Sequence, residues 1–178
     1  MKWAAPGGGA NWTLINTGGT SLSGSSSVTI SGISNKDSLM IRVRNASSGQ
    51  TQDSFRVRFN GDTGNNYFAQ GLGLSFSASY SAQILDRTDR EGVGFFDFGQ
   101  MSDTAASSVF GYLYLTGGLS SGIKSVLFGT GVNVSSGING YSNIAGGIYS
   151  ASAPITSFTI YSANSSNFDA GTVFVYGA

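Results

Sequence analysis

The sequence contains no cysteine and no histidine, only two prolines, three lysines and a single glutamate, Glu91, among its 178 residues. Each absence excludes something. Without histidine there is no imidazole base, no Ser-His-Asp triad and no histidine metal ligand. Without cysteine there is no thiol nucleophile, thiolate zinc site, iron–sulfur cluster or disulfide, so the fold must rest on its core alone. The near-absence of Glu and Lys removes the residues that usually cover helix surfaces. Nine basic residues balance nine acidic ones. That leaves no cationic excess to draw in nucleic acid or anionic lipid, and neither is expected as a partner. The N-terminal MKWAAPGGGANW has no apolar run of signal-peptide length, and no later stretch reaches membrane-spanning length. A soluble chain without a secretion signal is the expectation.

What is present is small and polar. Glycine occurs 27 times, serine 30, threonine 13 and asparagine 12, nearly half the chain. Against this stand 12 Phe and 8 Tyr, too much apolar surface for a disordered linker. One all-β domain is expected, a β-sandwich of jelly-roll type spanning 11–178, preceded by a short flexible arm at 1–10 that ends in PGGGA. No period of 20–50 residues repeats, which argues against a propeller or solenoid.

Period-two alternation recurs along the chain. In NWTLIN, Trp12, Leu14 and Asn16 share one face. VTISGI at 28–33 follows a Gly/Ser turn. In SLMIRVRN, Leu39, Ile41 and Val43 point one way and Met40, Arg42 and Arg44 the other. FRVRF repeats the pattern, with Phe55, Val57 and Phe59 inward and Arg56 and Arg58 outward. LGLSFSASY at 72–80 alternates again, and further strands are expected near 93–98, 109–116 and 123–128. Residues 129–153, rich in Gly, Ser and Asn, read as a long loop with short strands. ITSFTIYS at 155–162 and TVFVYG at 172–177 close the set, giving eight to ten strands.

Five constellations bear on function. A hairpin between 38–45 and 55–59 would gather Arg42, Arg44, Arg56 and Arg58 on one sheet face, where like charges need neutralising. Such a cluster is either a protein interface, since the guanidinium fork pairs with carboxylates, or a solvated face screened by Asp37 and Asp53. The run DRTDRE places Asp86, Arg87, Asp89, Arg90 and Glu91 within six residues, as a solvated loop or an intersubunit salt-bridge loop. Its spacing lacks the EF-hand calcium pattern. NGDTGNN offers Asn60, Asp62 and Asn65 as oxygen ligands, but the same residues make a hairpin turn through positive φ. Loop tyrosines are core caps or interface plugs, or, at Tyr141 and Tyr161, platforms for sugar rings. Eight aspartates and one glutamate could supply a glycosidase pair, but nothing brings two of them into range, and no phosphate loop occurs. No cofactor, metal or catalytic residue is assigned, and an enzyme is not expected.

The succession NWTLIN, VTISGI…SLMIRVRNASSG, FRVRFNGDTGNNY and finally ITSFTIYSANSSNFDAGTVFVYGA resembles small β-rich virion proteins of tailed bacteriophages. The matching stretches cover about half the chain, the FNGD–NNY turn and the GTVFVYG strand being the most specific. The resemblance implies a structural protein of the particle. Its first expectation is a homotrimeric decoration (cement) protein, seated on the major capsid protein or another virion protein. Its place would be the phage head surface, after assembly in the bacterial host cytoplasm. The Arg face and DRTDRE would supply contacts. The alternative is a tail-fibre or spike module that binds host-surface glycans.

Overall fold

Strict apolar/polar alternation makes strands that bury one face, and two such sheets stacked face to face bury both. The computed structural model, which describes residues 11–50, 53–76, 83–100, 109–133 and 140–178, has this architecture, with thirteen strands and no helix among the described residues. In chain order the strands are Thr13–Leu14 (β1), Thr20–Ser21 (β2), Ser27–Ser31 (β3), Ser38–Ser48 (β4), Ser54–Phe59 (β5), Tyr67–Phe76 (β6) and Gln83–Val93 (β7). Then follow Phe96–Gln100 (β8), Val109–Thr116 (β9), Lys124–Asn133 (β10), Gly140–Tyr149 (β11), Ser157–Ser162 (β12) and Phe168–Gly177 (β13). The arm at 1–10 lies outside the described residues.

The larger sheet runs β1-β13-β4-β9-β10-β11-β6-β7, with β2 also on β13, and the smaller runs β3-β12-β5-β8. All described pairings are antiparallel. Between the sheets lie Leu39, Ile41 and Val43 of β4, Phe55, Val57 and Phe59 of β5, Phe158 and Ile160 of β12, and Val173 and Val175 of β13, all buried. An aromatic cluster fills the centre: Phe59 meets Tyr149 at 5.4 Å, and Tyr67 meets Phe96 edge-on at 5.0 Å, the offset geometries such rings prefer.

Three expectations change here. β4 and β5 do not form a hairpin; they belong to opposite sheets. Their inward sets, Leu39-Ile41-Val43 and Phe55-Val57-Phe59, are both apolar, and placing them face to face buries both. The four arginines consequently point away from each other in pairs. DRTDRE is not a loop but the middle of β7, paired with β6 at an edge of the large sheet, where charge discourages further strand addition. Within 129–153, residues 129–133 and 140–149 are strand rather than loop, because β10 and β11 pair along ten consecutive positions, while 134–139 lie outside the described residues.

NGDTGNN is a turn, with Asn60 (φ 54) and Gly61 (φ 65) both in the left-handed region, but it passes from the small sheet to the large one rather than closing a hairpin. Asp62 holds it. Its carboxylate accepts from Gly64 N, Asn66 Nδ2 and Tyr149 Oη at 2.8, 2.8 and 2.9 Å. Burial would raise the Asp62 pKa, but these donors outweigh it and hold the carboxyl below its ordinary 3.8. Tyr67 and Tyr149 are core residues, and burial pushes both phenols well above their usual pKa.

Asp53 is also internal rather than a screen on an outer face. It is fully buried and accepts from Ser48 Oγ, Ser162 Oγ, Ser54 N and Asn164 N. That one carboxylate ties the end of β4 in the large sheet to β5 and β12 in the small one.

Candidate functional site

The two arginine pairs have different surroundings. On the small sheet, the Arg56 guanidinium lies over the Phe95 ring at 4.1 Å, and Arg58 over Tyr161 at 4.6 Å. Arg58 Nε also donates to Gly94 O at 2.7 Å. These cations are stacked and tied down, and one face of Tyr161 is already covered. On the large sheet, Arg42 and Arg44 are exposed, and no carboxylate pairs with either among the described residues. Arg42 stands in register between Phe174 and Tyr112, and the Arg44 guanidinium reaches 5.9 Å from the Phe174 ring.

A local irregularity sets this pair. The β4–β9 register shifts between Val43 and Ala46, and Asn45 has φ 50, so Arg44 and Asn45 form a bulge with both residues on the outer face. Inward burial resumes at Ala46.

Next to the bulge the outer face carries a cleft of about 500 Å³, within the span of small-ligand sites. Its origin is legible strand by strand. Gly129 and Gly131 sit two apart on β10 and leave no side chains on that face. Gly129 is in register with Tyr112 of β9 and Ile144 of β11, and Gly131 with Phe110 and Ser142. Two walls therefore rise on either side of a glycine floor, with Arg42 and Arg44 at the β4 side. A Cβ on Gly129 would meet the Tyr112 ring and hydroxyl at 3.0 Å, so the phenol leans across that floor, whereas nothing lies within 4 Å above Gly131.

Towards the opposite end of the same face the surface turns apolar. Trp12, Tyr114, Leu119, Ile123, Leu127 and Ile148 are all exposed, and Trp12 contacts Tyr114 with ring centres 5.9 Å apart. Contiguous exposed apolar surface marks interaction sites. Directly beneath, Lys124 is fully buried and its ammonium donates to Ser120 O, Gly122 O and Ala151 O at 2.9, 3.0 and 2.7 Å. That lysine fixes the 117–123 turn on which Leu119 and Ile123 stand. Burial lowers its pKa from 10.5.

The residues singled out from the sequence are thus dispersed. Arg42 and Arg44 line the cleft; Arg56 and Arg58 lie on the other side of the sandwich. Asp86, Arg87, Asp89, Arg90 and Glu91 follow one another along β7, and Tyr141 opens β11 opposite Ser75; their side chains lie outside the described residues. Sequence reasoning missed Phe110, Tyr112, Ile144 and the apolar end patch. The signal was available: VFGYLYLT is apolar on both strand faces, although only one faces the core. Among the described residues no group of three or more acidic side chains could hold a metal ion. In comparisons with known proteins, no protein family, curated protein or solved structure matches the chain.

Proposed function

We propose that the chain is a structural protein of a tailed-bacteriophage particle, a homotrimeric head decoration protein that seats on the major capsid protein. The reading rests on the resemblance of the strand succession to small virion proteins. The observation that carries it is the apolar end patch of Trp12, Tyr114, Leu119, Ile123, Leu127 and Ile148, open to solvent on the large sheet and the 117–123 turn at its end. Strand order supports a jelly-roll wind: β2-β13-β4-β9 faces β3-β12-β5-β8, with the hairpins β6–β7 and β10–β11 inserted into the large sheet. Docking then works by burying apolar surface, without chemistry.

The test adds purified protein to heads that lack it. Native protein should occupy them, and Ile123→Asp/Leu127→Asp should lose at least ~100-fold in affinity, as buried anchors do, with an unchanged melting temperature. Native protein that fails to bind, or a double variant that binds equally, refutes the reading. A second reading, a receptor-recognition module for host-surface glycans, is favoured by the open cleft between Arg42 and Ile144.

A further inference from the structure

We infer that the cleft on the large sheet is a binding site for a carboxylated saccharide, a glycan bearing uronic or sialic acid residues; this rests on the glycan reading and narrows it. Three observations carry the inference.

The first is charge. Of the four arginines on β4 and β5, those on the small sheet lie within 4.1 and 4.6 Å of aromatic rings, and Arg58 also donates to a carbonyl, while Arg42 and Arg44 stand exposed beside a concavity, Arg44 with only a longer 5.9 Å approach to Phe174. Arg42 and Arg44 are spaced two apart on one strand face, with Cα atoms roughly 7 Å from each other along the strand. A guanidinium fork matches a carboxylate in a bidentate manner.

The second is the floor. β10 is hydrogen-bonded to β9 over 125–132 and to β11 over 124–133, so the backbone groups under the cleft are spent in the two ladders. An extended peptide laid here would find no backbone partners for its own N–H and C=O groups and would have to give up their water. A saccharide carries hydroxyls around its rim, which stay solvated or reach Ser142 and the Tyr112 hydroxyl, and it presents flat C–H faces to a surface.

The third is shape. The phenol of Tyr112 leans over Gly129, beside Arg42, and Phe110 is the cross-strand neighbour of Gly131, above which the space is open. A sugar ring set against Tyr112 places its carboxylate towards Arg42, and the next ring along β10 comes within reach of Arg44. Aromatic side chain, glycine floor and exposed cation thus converge in a volume of about 500 Å³, enough for a short oligosaccharide.

The test is a glycan array probed with the full-length protein, carrying glycans with uronate or sialic acid, their neutral counterparts, a single-stranded oligonucleotide and an Asp/Glu-rich peptide. Retained glycans are then titrated by calorimetry. Acidic glycans should bind, with neutral ones at least ~10-fold weaker, and binding should weaken as salt screens the exposed cations. Arg42→Gln/Arg44→Gln should lose at least ~10-fold for acidic glycans alone, and Tyr112→Ala should weaken every retained glycan, as loss of a central aromatic does. Lys36→Gln, on a charge outside the cleft, should change nothing, and melting temperatures show that each variant is folded. Binding of neutral and acidic glycans alike, unaffected by the arginine changes, overturns the carboxylate assignment but leaves the glycan reading standing. No glycan retained overturns both. Retention of only the oligonucleotide or only the acidic peptide assigns the arginine pair to that partner and overturns the saccharide.

Discussion

Removing the Asp53 carboxylate should be among the most damaging single changes the domain can suffer. Ser48 and Ser162 direct hydroxyls at Oδ2 from 3.1 and 2.6 Å, and Ser54 and Asn164 direct backbone N–H groups at Oδ1 from 2.8 and 3.2 Å. The serine oxygens already accept from Gln50 N and Ser166 N, so the two hydroxyls are intermediate links in longer chains. In Asp53→Ala four donors lose their acceptor together. Each orphaned buried donor costs ~1–3 kcal/mol. Water entering the vacated space and relief of a buried charge offset part of the sum, leaving an expected loss of about 3–5 kcal/mol, as when one partner of a buried charged network is removed. Against a total stability of ~5–15 kcal/mol that is a large share. Asp53→Asn keeps the volume and one acceptor oxygen, and its amide can donate to the second lone pair of either serine. Its cost should be about 1–2 kcal/mol. Urea unfolding followed by far-UV circular dichroism, with unchanged m-values, measures both. An Asp53→Ala variant within ~1 kcal/mol of the native protein, or an Asn variant as damaged as the Ala variant, would refute the account of Asp53 as the tie between sheets.

Other consequences are as specific. Because the folded-state pKa of Asp62 is held below 3.8, its contribution is present above that value and lost as pH falls through the lowered pKa; Asp62→Asn should flatten the acid limb of the stability curve, and an unaltered limb would contradict the hydrogen-bond account. Lys124→Met should cost ~1–3 kcal/mol by leaving the Ser120, Gly122 and Ala151 carbonyls without their donor. Since burial lowers the lysine's folded pKa, the native protein should gain stability from this group as pH rises through the window below 10.5, a gain absent from the Met variant in alkaline denaturant titrations.

The alternation in the sequence determined a good deal. Side chains two apart fall on one face of a strand whatever its neighbours, so β3, β4, β5, β9, β12 and β13 were legible locally, as were the inward sets of β4 and β5. Composition alone excluded helices, because the residues that build their surfaces are missing. Sheet membership was decided only by the tertiary structure. FRVRF follows SLMIRVRN closely enough to suggest a hairpin, but two apolar faces gain most by packing against each other, and this sends the consecutive strands to opposite sheets and parts the arginines. The glycines at 129 and 131 read locally as loop formers; within β10 the ladders on both sides hold them extended, and their missing side chains become the floor of the cleft. DRTDRE, polar enough for a loop, is stable as a strand only because β6 is there to pair with it. With no histidine and no cysteine in the sequence, it is the placement of surface side chains that distinguishes one face of the molecule from another. Burial on one side of the large sheet forced Phe110, Tyr112 and Ile144 onto the other, where only the fold could set them beside Arg42 and Arg44.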